Sequence, residues 1–120
     1  MQNEFFHGFI RLHILYHASE ESIFGLGILR ELRRHGYELS PGTLYPLLHR
    51  MEKHGLLESR KELVAGKVRR VYVITKSGLS TLHEAREKVR ELFGELFADN
   101  YVSIGQANSP RLQKRRGRSA

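Results

Sequence analysis

The helix that starts at Ser40-Pro41 is the most sharply marked element of the sequence. Ser40 is a suitable N-cap because its hydroxyl can accept a hydrogen bond from a free amide, and Pro41 has the backbone angle that a first helical position needs. Gly55 closes the segment. The residues expected to face inward are Leu44, Leu47, Leu48 and Met51. The pattern therefore predicts a short helix with one apolar face, although Pro46 removes one backbone donor near its start.

The rest of the chain shows helical periodicity in three segments and strand-forming residues on both sides of a short turn. The predicted elements are helices over residues 5–18, 23–35 and 76–99 and strands over 56–64 and 68–75. Ser22 is the expected N-cap of the second helix, and Gly36 the expected left-handed residue after its end. The expected buried stripe of this helix is Ile23, Leu26, Ile28 or Leu29, and Leu32. The connection Ala65-Gly66-Lys67 predicts a β-hairpin. The fold class is therefore mainly α with a small β-hairpin.

Three helices followed by a hairpin have the order of a winged helix-turn-helix, here with a further C-terminal helix. A short helix fits the major groove of DNA, its free N-terminal amides favour phosphate, and small residues at its start let the backbone come close. The basic hairpin tip can reach the flanking backbone or the minor groove. The residues that this arrangement predicts at a DNA interface are Ser40, Gly42, Thr43, Tyr45, His49, Arg50, Lys67, Arg69 and Arg70.

The last helix carries apolar residues at seven-residue spacing over about two heptads, which favours contact with another helix. The first helix is apolar on two sides, so it needs two partners: one can be the core of its own domain and the other a second subunit. The residues predicted at a dimer interface are Phe5, Phe9, Leu82, Ala85, Val89, Leu92, Phe93 and Leu96. The last helix is therefore a predicted dimerisation helix.

The positive charge of the chain is concentrated near its C-terminal end. There are 20 Lys and Arg against 13 Asp and Glu, a net charge of +7. Residues 100–120 contain several bases and no acid, so we expect a disordered basic tail there. Cysteine is absent, and no apolar run approaches the ~20 residues of a membrane span. We expect a cytoplasmic protein with a DNA-binding domain over residues 1–75, a dimerisation helix over 76–99 and a tail over 100–120.

Residues 36–57 read Gly-Tyr-Glu-Leu-Ser-Pro-Gly-Thr-Leu-Tyr-Pro-Leu-Leu-His-Arg-Met-Glu-Lys-His-Gly-Leu-Leu, and they are flanked by glycine-containing stretches at 25–32 and 66–78. Together these segments resemble the short subfamily of PadR winged-helix transcriptional regulators, over residues 5–99. The resemblance implies a recognition-helix motif and a wing, formed respectively by Ser40, Pro41, Gly42, Thr43, Tyr45 and Pro46 and by Lys67, Arg69 and Arg70. It also implies a homodimeric repressor of double-stranded operator DNA that, in some members, is released by a small hydrophobic or phenolic effector.

Several alternatives stay open beside this interpretation. Tyr45 can be a half-buried packing residue rather than a DNA contact. Arg69 and Arg70 point to opposite faces of a strand, so at most one is expected to face DNA well while the other pairs with an acid. The whole domain can also be a winged-helix module for protein contact, in which the basic charge is incidental.

Catalysis is not expected, because the sequence has no phosphate-binding Gly-Lys-Ser/Thr loop. A Ser-His-Asp triad is also not expected, since Asp99, at the end of the last predicted helix, is the only Asp in the sequence. We predict no cofactor and no resident metal. His13 and His17 are nevertheless four residues apart on a helix, the spacing of a two-histidine metal clamp. A His-based metal-responsive regulator is therefore a further alternative.

Overall fold

The structure, a computed structural model, describes residues 2–98, with side chains from Glu4 onward. Its elements are α1 (Gln2–Phe5), α2 (His7–Glu20), β1 (Ile23–Phe24), α3 (Gly25–Arg34), α4 (Pro41–Lys53), β2 (Leu57–Val64), β3 (Lys67–Ile74) and α5 (Lys76–Leu96). The strands form one antiparallel sheet in the order β1-β3-β2. This is a winged helix-turn-helix followed by a C-terminal helix, which confirms the predicted fold class. None of the helices in residues 2–98 is long and apolar enough to cross a membrane.

One apolar core joins α2, α3, α4 and the sheet. Its fully buried side chains are Ile10, Ile14, Leu32, Leu44, Leu47, Leu48, Met51 and Leu57. The four residues predicted to face inward from α4 are all in this set. Burying a side chain of this size stabilises the fold by about 1.5–3 kcal/mol relative to leaving it exposed. The helical periodicity of α4 was therefore a correct guide to its packing.

The first predicted helix is interrupted at Phe6. α1 ends at Phe5 and α2 begins at His7, because Phe6 leaves helical geometry with φ −96° and ψ 8°. The buried residues of α2 are Ile10, Ile14, Leu15 and Ala18. Phe5 and Phe9 are exposed, so they lie outside the core of this chain.

The second predicted helix starts later than expected, because a short strand takes its first two positions. This strand, β1, pairs with β3 through Ile23↔Tyr72 and Phe24↔Val71. The prediction that Ser22 caps the helix is wrong: α3 begins at Gly25, and Phe24 is its N-cap in an extended conformation. Leu26, expected in the core, is 47% exposed because it lies off the buried stripe of α3, which consists of Gly25, Ile28, Leu29 and Leu32.

α3 ends where the sequence predicts, in a Schellman motif. Gly36 is left-handed with φ 94°, its N–H donates to the Arg33 carbonyl, and the Tyr37 N–H donates to the Leu32 carbonyl. Side-chain nitrogens of Arg33 donate to the Leu39 carbonyl at 2.9 and 3.1 Å. The turn between α3 and α4 is thus held by both backbone and side-chain bonds.

α4 also starts and ends at the predicted residues. Ser40 is the N-cap, Pro41 is the first helical residue, and the helix continues through Pro46. Gly55 is left-handed with φ 81°, and the following Leu56 donates its N–H to a carbonyl of the last turn. Both ends of this helix are therefore where the sequence predicts, although the Ser40 hydroxyl makes no capping bond to a helix amide.

The hairpin has a two-residue loop. Val64 pairs with Lys67, which leaves Ala65 and Gly66 in the loop with φ 52° and 79°. Two residues with positive φ match the type I′ turn, whose twist suits the flanking strands. Lys67, expected inside the connection, is the first residue of β3.

α5 begins against the end of α4. The Gly78 N–H donates to the Thr75 hydroxyl at 2.9 Å, so Thr75 caps the helix. Gly78 is buried, and a Cβ there would overlap the carbonyl of Leu56. Leu82 packs in the core of its own chain. This side chain has intramolecular partners, and its predicted place in a dimer interface stays a prediction.

The chain divides into two compact units between His83 and Glu84, inside α5. The division lies beyond the expected domain end at residue 75, and the buried Gly78 and the core residue Leu82 both fall in the first unit. α5 ends at Leu96, short of the expected residue 99. The predicted tail over residues 100–120 lies outside the described part of the chain.

Candidate nucleic-acid interface

α4 separates its apolar residues from the residues predicted to contact DNA. Leu44, Leu47, Leu48 and Met51 are buried. Thr43 is partly buried, and the remaining predicted residues of the segment are exposed: Ser40, Pro41, Gly42, Tyr45, Pro46, His49 and Arg50. The helix therefore presents one continuous outer surface, which begins with small residues and continues with an aromatic ring, an imidazole and a guanidinium.

The N-terminus of α4 is open to an anion. The Ser40 hydroxyl makes no bond to a backbone amide of the helix and lies 3.4 Å from the Thr43 hydroxyl instead. A Cβ on Gly42 would meet nothing nearer than that Ser40 oxygen, at 3.7 Å. Pro41 has no N–H, and the Thr43 N–H donates to the Ser40 carbonyl at 3.0 Å. The Gly42 N–H is therefore the amide of this first turn that suits a phosphate oxygen, with hydroxyls beside it and no bulky side chain above.

A shallow groove of about 560 Å³ adjoins this helix start. Its lining residues are Arg33, Gly36, Tyr37, Glu38, Leu39, Ser40 and Thr43. The groove follows the turn between α3 and α4, and its lining includes one basic residue, Arg33, and one acidic residue, Glu38. Sequence analysis did not identify Arg33, because its position over the turn depends on its bonds to the Leu39 carbonyl.

Tyr45 combines a packing role with an exposed surface. It is 45% exposed, and its ring lies directly on Gly25 of α3. A Cβ on Gly25 would be 2.7 Å from both Cζ and the hydroxyl oxygen of Tyr45. One side of the ring thus packs on α3 while the other part of the side chain faces solvent, so Tyr45 has the packing role considered from the sequence and its DNA contact stays a prediction.

The wing carries its cations in three different settings. Lys67 is exposed at the end of β3 nearest the turn. The guanidinium carbon of Arg69 lies 4.0 Å from the centre of the Phe24 ring, a cation–π contact. Arg70 donates from Nη1 to the Ser59 hydroxyl at 2.9 Å. Lys67 is therefore the wing cation most available to a ligand.

Arg70 belongs to a chain of contacts between the wing and α4. Ser59 of β2 donates both its hydroxyl and its backbone N–H to Oε2 of Glu52, at 2.8 and 3.1 Å. Among the described residues the expected pairing of Arg69 or Arg70 with an acid is therefore not direct: Arg70 contacts Ser59, and Ser59 contacts Glu52. Tyr72, whose pKa is raised by burial, lies close enough to Arg70 and Glu52 to respond to their charges.

Three histidines form a second cluster, away from the outer residues of α4. His13 and His17 come from α2, His35 follows the end of α3, and their possible ligand nitrogens all lie within 4.8 Å of one another. Burial lowers the pKa of His13, and the charges of His35 and His17 lower it further against the opposing effect of Glu31. The spacing of His13 and His17 in the sequence indicates that they lie on one face of a helix. His35 comes close to them only because of the way the chain folds, so the sequence does not indicate its part in the cluster.

The residues predicted at a dimer interface fall in both units. Phe5 and Phe9 of the first unit are exposed. In the second unit Ala85 is partly buried, and the exposed residues are Val89, Leu92, Phe93 and Leu96. The rings of Phe93 and Phe97 lie 4.8 Å apart. An apolar stripe of this kind along one helix is typical of a helix with a protein partner.

Comparison with known proteins agrees with this architecture. The family "Transcriptional regulator PadR-like family" matches residues 14–84. Transcriptional regulator Rv3488 of Mycobacterium tuberculosis is 48% identical over 102 residues, which cover 85% of this chain and 95% of the relative.

Two solved structures extend the comparison. A PadR-like transcriptional regulator from Bacillus cereus superposes with a TM-score of 0.72 at 27% identity, covering 92% of this chain and all of that chain. A PadR family transcriptional regulator from Eggerthella lenta gives a TM-score of 0.67 at 31% identity, covering 83% and 91% of the two chains. These relatives are regulators rather than enzymes, in agreement with the sequence analysis. The chain is a member of the PadR-like family of transcriptional regulators.

Proposed function

We propose that this protein is a homodimeric repressor that binds a specific sequence of double-stranded DNA. The observation that carries the proposal is the separation of residues on α4: its apolar side chains fill the core, and the predicted contact residues form its outer surface. A helix of this length, exposed along one side and open at its N-terminus, can enter a major groove.

Within this proposal the two elements of the domain have different tasks. The outer residues of α4, with Tyr45, His49 and Arg50 at its centre, contact base edges and supply sequence specificity. The start of α4 and Lys67 of the wing contact phosphates and supply affinity that depends on salt. Arg69 and Arg70 support the wing through Phe24 and Ser59 rather than acting as the main contacts.

The proposed dimerisation is supported by apolar residues that are exposed to solvent in the described part of the chain. In the proposed dimer Phe5 and Phe9, with Ala85, Val89, Leu92, Phe93 and Leu96 of α5, are covered by a second copy. Two copies related by a two-fold axis read a pseudo-palindrome whose half-sites are about 34–36 Å apart. The first unit is then the DNA-binding domain, and α5 beyond it is the dimerisation helix.

In this proposal, binding of a small hydrophobic effector releases the repressor from its operator DNA. A ligand that binds more tightly to one dimer geometry shifts the population towards it, and a changed spacing between the two α4 helices no longer matches successive grooves. Repression of this kind takes place in the cytoplasm, where the protein meets its operator.

The direct test is selection of binding sites from a pool of random duplexes, followed by affinity measurements on the selected site. Tyr45→Ala should lower affinity about tenfold to hundredfold, because a base-edge contact is worth about 1–3 kcal/mol. Tyr16→Ala is the matched control, since Tyr16 is 50% exposed on α2. Equal affinity of wild type and Tyr45→Ala for the selected site contradicts the assignment of α4.

The wing is tested by the salt dependence of binding. Lys67→Ala should reduce the slope of log affinity against log salt by about 1, since one phosphate contact is lost. Lys61→Ala, on β2 of the same hairpin, is the control and should leave the slope unchanged. A slope that is the same in Lys67→Ala and wild type removes Lys67 from the interface.

A protein-contact module is the second candidate function, and the wing supplies the observation that favours it. Leu63 and Val68 are paired across the hairpin and are 74% and 67% exposed. Such an apolar pair suits a protein surface better than a phosphate backbone. Binding to random and selected DNA with no preference and little salt dependence would support this candidate and contradict the repressor.

A further inference from the structure

The histidine cluster unites residues that are distant in sequence. His13 and His17 lie one turn apart on α2, and His35 is the residue that follows α3. The possible ligand nitrogens of the three imidazoles all lie within 4.8 Å of one another. Two histidines four residues apart are common on helices, but a third one brought to them by tertiary packing is an independent observation.

The separations are close to those that a metal ion requires. Zinc binds imidazole nitrogen at about 2.0–2.1 Å, so two nitrogens of a tetrahedral site are roughly 3.3 Å apart. The most distant pair of the cluster must therefore approach by about 1.5 Å, which rotation of imidazole rings can supply. His35 is exposed and the other two are half-buried, so the cluster can be reached from solvent.

Glu31 of α3 places a carboxylate beside two of the three histidines. Its Oε2 lies 3.2 Å from Nε2 of His35 and 3.9 Å from Nε2 of His17. The same oxygen accepts a hydrogen bond from Nη2 of Arg34 at 3.2 Å. Burial would raise the pKa of Glu31, but Arg34 and the two histidines outweigh it and lower the pKa. The carboxylate thus lies beside the imidazoles of His17 and His35, where its negative charge can offset that of a cation.

We propose that His13, His17, His35 and Glu31 form a binding site for one divalent transition-metal ion, with Zn²⁺ as the representative ion. Three imidazoles and a carboxylate suit Zn²⁺, Co²⁺, Ni²⁺ or Cu²⁺, whereas Mg²⁺ prefers oxygen ligands. The site ties α2 to the end of α3, directly before the turn that leads into α4. An effect of the metal on DNA recognition rests on the proposed function, but metal binding itself does not.

Aromatic packing is the competing explanation of the cluster. The rings of His13 and His35 stack with their centres 4.7 Å apart, and Tyr37 makes an edge contact with His13 at 5.4 Å. Stacking alone predicts a stable cluster without metal affinity. The two explanations differ in one measurable property, the stoichiometric binding of an ion that depends on these residues.

The test is a calorimetric titration of the tag-free full chain with Zn²⁺, and with Mg²⁺ in parallel. We expect one Zn²⁺ per chain, with affinity reduced at least about tenfold in His13→Gln, His35→Gln and Glu31→Gln, and no binding of Mg²⁺. His54→Gln and His83→Gln are the controls, because both histidines are exposed and outside the cluster. Circular dichroism checks that each variant is folded, and since His35 is exposed its replacement is the least disruptive of the three.

Visible spectra of the Co²⁺-loaded protein provide a second measurement. Intense d–d absorption that is present in the wild type and in His54→Gln, and absent in His35→Gln, supports the site. The absence of saturable one-to-one binding, or equal Zn²⁺ affinity of wild type and His35→Gln, overturns the proposal. Neither result depends on whether the chain binds DNA, so failure of this proposal can be distinguished from failure of the proposed function.

Discussion

Replacing Gly25 with Ala should push the Tyr45 ring off α3. The new methyl group would lie 2.7 Å from Cζ and the hydroxyl oxygen of Tyr45, and nearer still to Cε1. Real Cβ atoms essentially never come within 3.0 Å of another heavy atom, so one of the two groups has to move. Tyr45 is 45% exposed, and its ring can therefore rotate towards solvent without separating the two helices.

The size of the effect follows from two opposing contributions. Overpacking costs about 1–3 kcal/mol, and a movable ring favours the lower end. Alanine recovers at most about 1 kcal/mol through its higher helix propensity. We expect Gly25→Ala to lower the free energy of unfolding by up to about 1 kcal/mol, and the same change in a Tyr45→Ala background to be neutral or stabilising, because the ring is then absent.

The assay is a double-mutant cycle by urea denaturation of the wild type, both single variants and the double variant. The expected coupling free energy is about 1–2 kcal/mol. Gly8→Ala is the control, since a Cβ on Gly8 would have no heavy atom within 4 Å. If the two effects add to within about 0.5 kcal/mol, the contact between Gly25 and Tyr45 does not operate as described.

Three further predictions concern stability. Gly78→Ala should destabilise the fold by about 3 kcal/mol in urea denaturation, because the methyl group would overlap the backbone carbonyl of Leu56, which cannot rotate away. The control Gly94→Ala has open space around the new methyl group and should be neutral or stabilising, so similar values for the two variants would contradict this account. Ala65→Asn should stabilise the hairpin by about 0.5–1 kcal/mol, since asparagine tolerates positive φ better than alanine; an unchanged melting temperature would show that Ala65 is not strained. Burial raises the pKa of Tyr72 above its usual 10.0, so the contribution of the protonated tyrosine to stability is complete below pH 10 and is lost as the pH rises further. The free energy of unfolding should therefore fall less steeply with rising alkaline pH in Tyr72→Phe than in the wild type, and identical profiles would exclude this tyrosine as a cause.

Local sequence signals were sufficient for the end of α3 and for both ends of α4. Ser40-Pro41 marks the start of α4, and Gly36 and Gly55 end the two helices, because a cap or a left-handed residue acts within one turn of chain. These signals do not depend on the rest of the fold. The outer and inner residues of α4 could therefore be assigned from periodicity alone.

Features that depend on distant partners were not predictable in the same way. β1 has two residues, too few for any periodicity, and exists because Ile23 pairs with Tyr72. Leu82 fits a heptad pattern equally well whether its partner is the core or a second subunit, and only the fold shows that it is the core. The third histidine of the cluster is likewise invisible in the sequence, since His35 reaches α2 only after α3 has packed.

The contacts from Glu52 through Ser59 to Arg70 couple the two elements that the proposed function brings to DNA. Oε2 of Glu52 on α4 accepts hydrogen bonds from both the backbone N–H and the hydroxyl of Ser59 on β2. The same hydroxyl accepts a hydrogen bond from the guanidinium of Arg70 on β3. These contacts hold α4 and the hairpin in one relative position within each subunit. In the proposed dimer a regulatory ligand would therefore act by changing the distance between the DNA-binding domains of the two subunits.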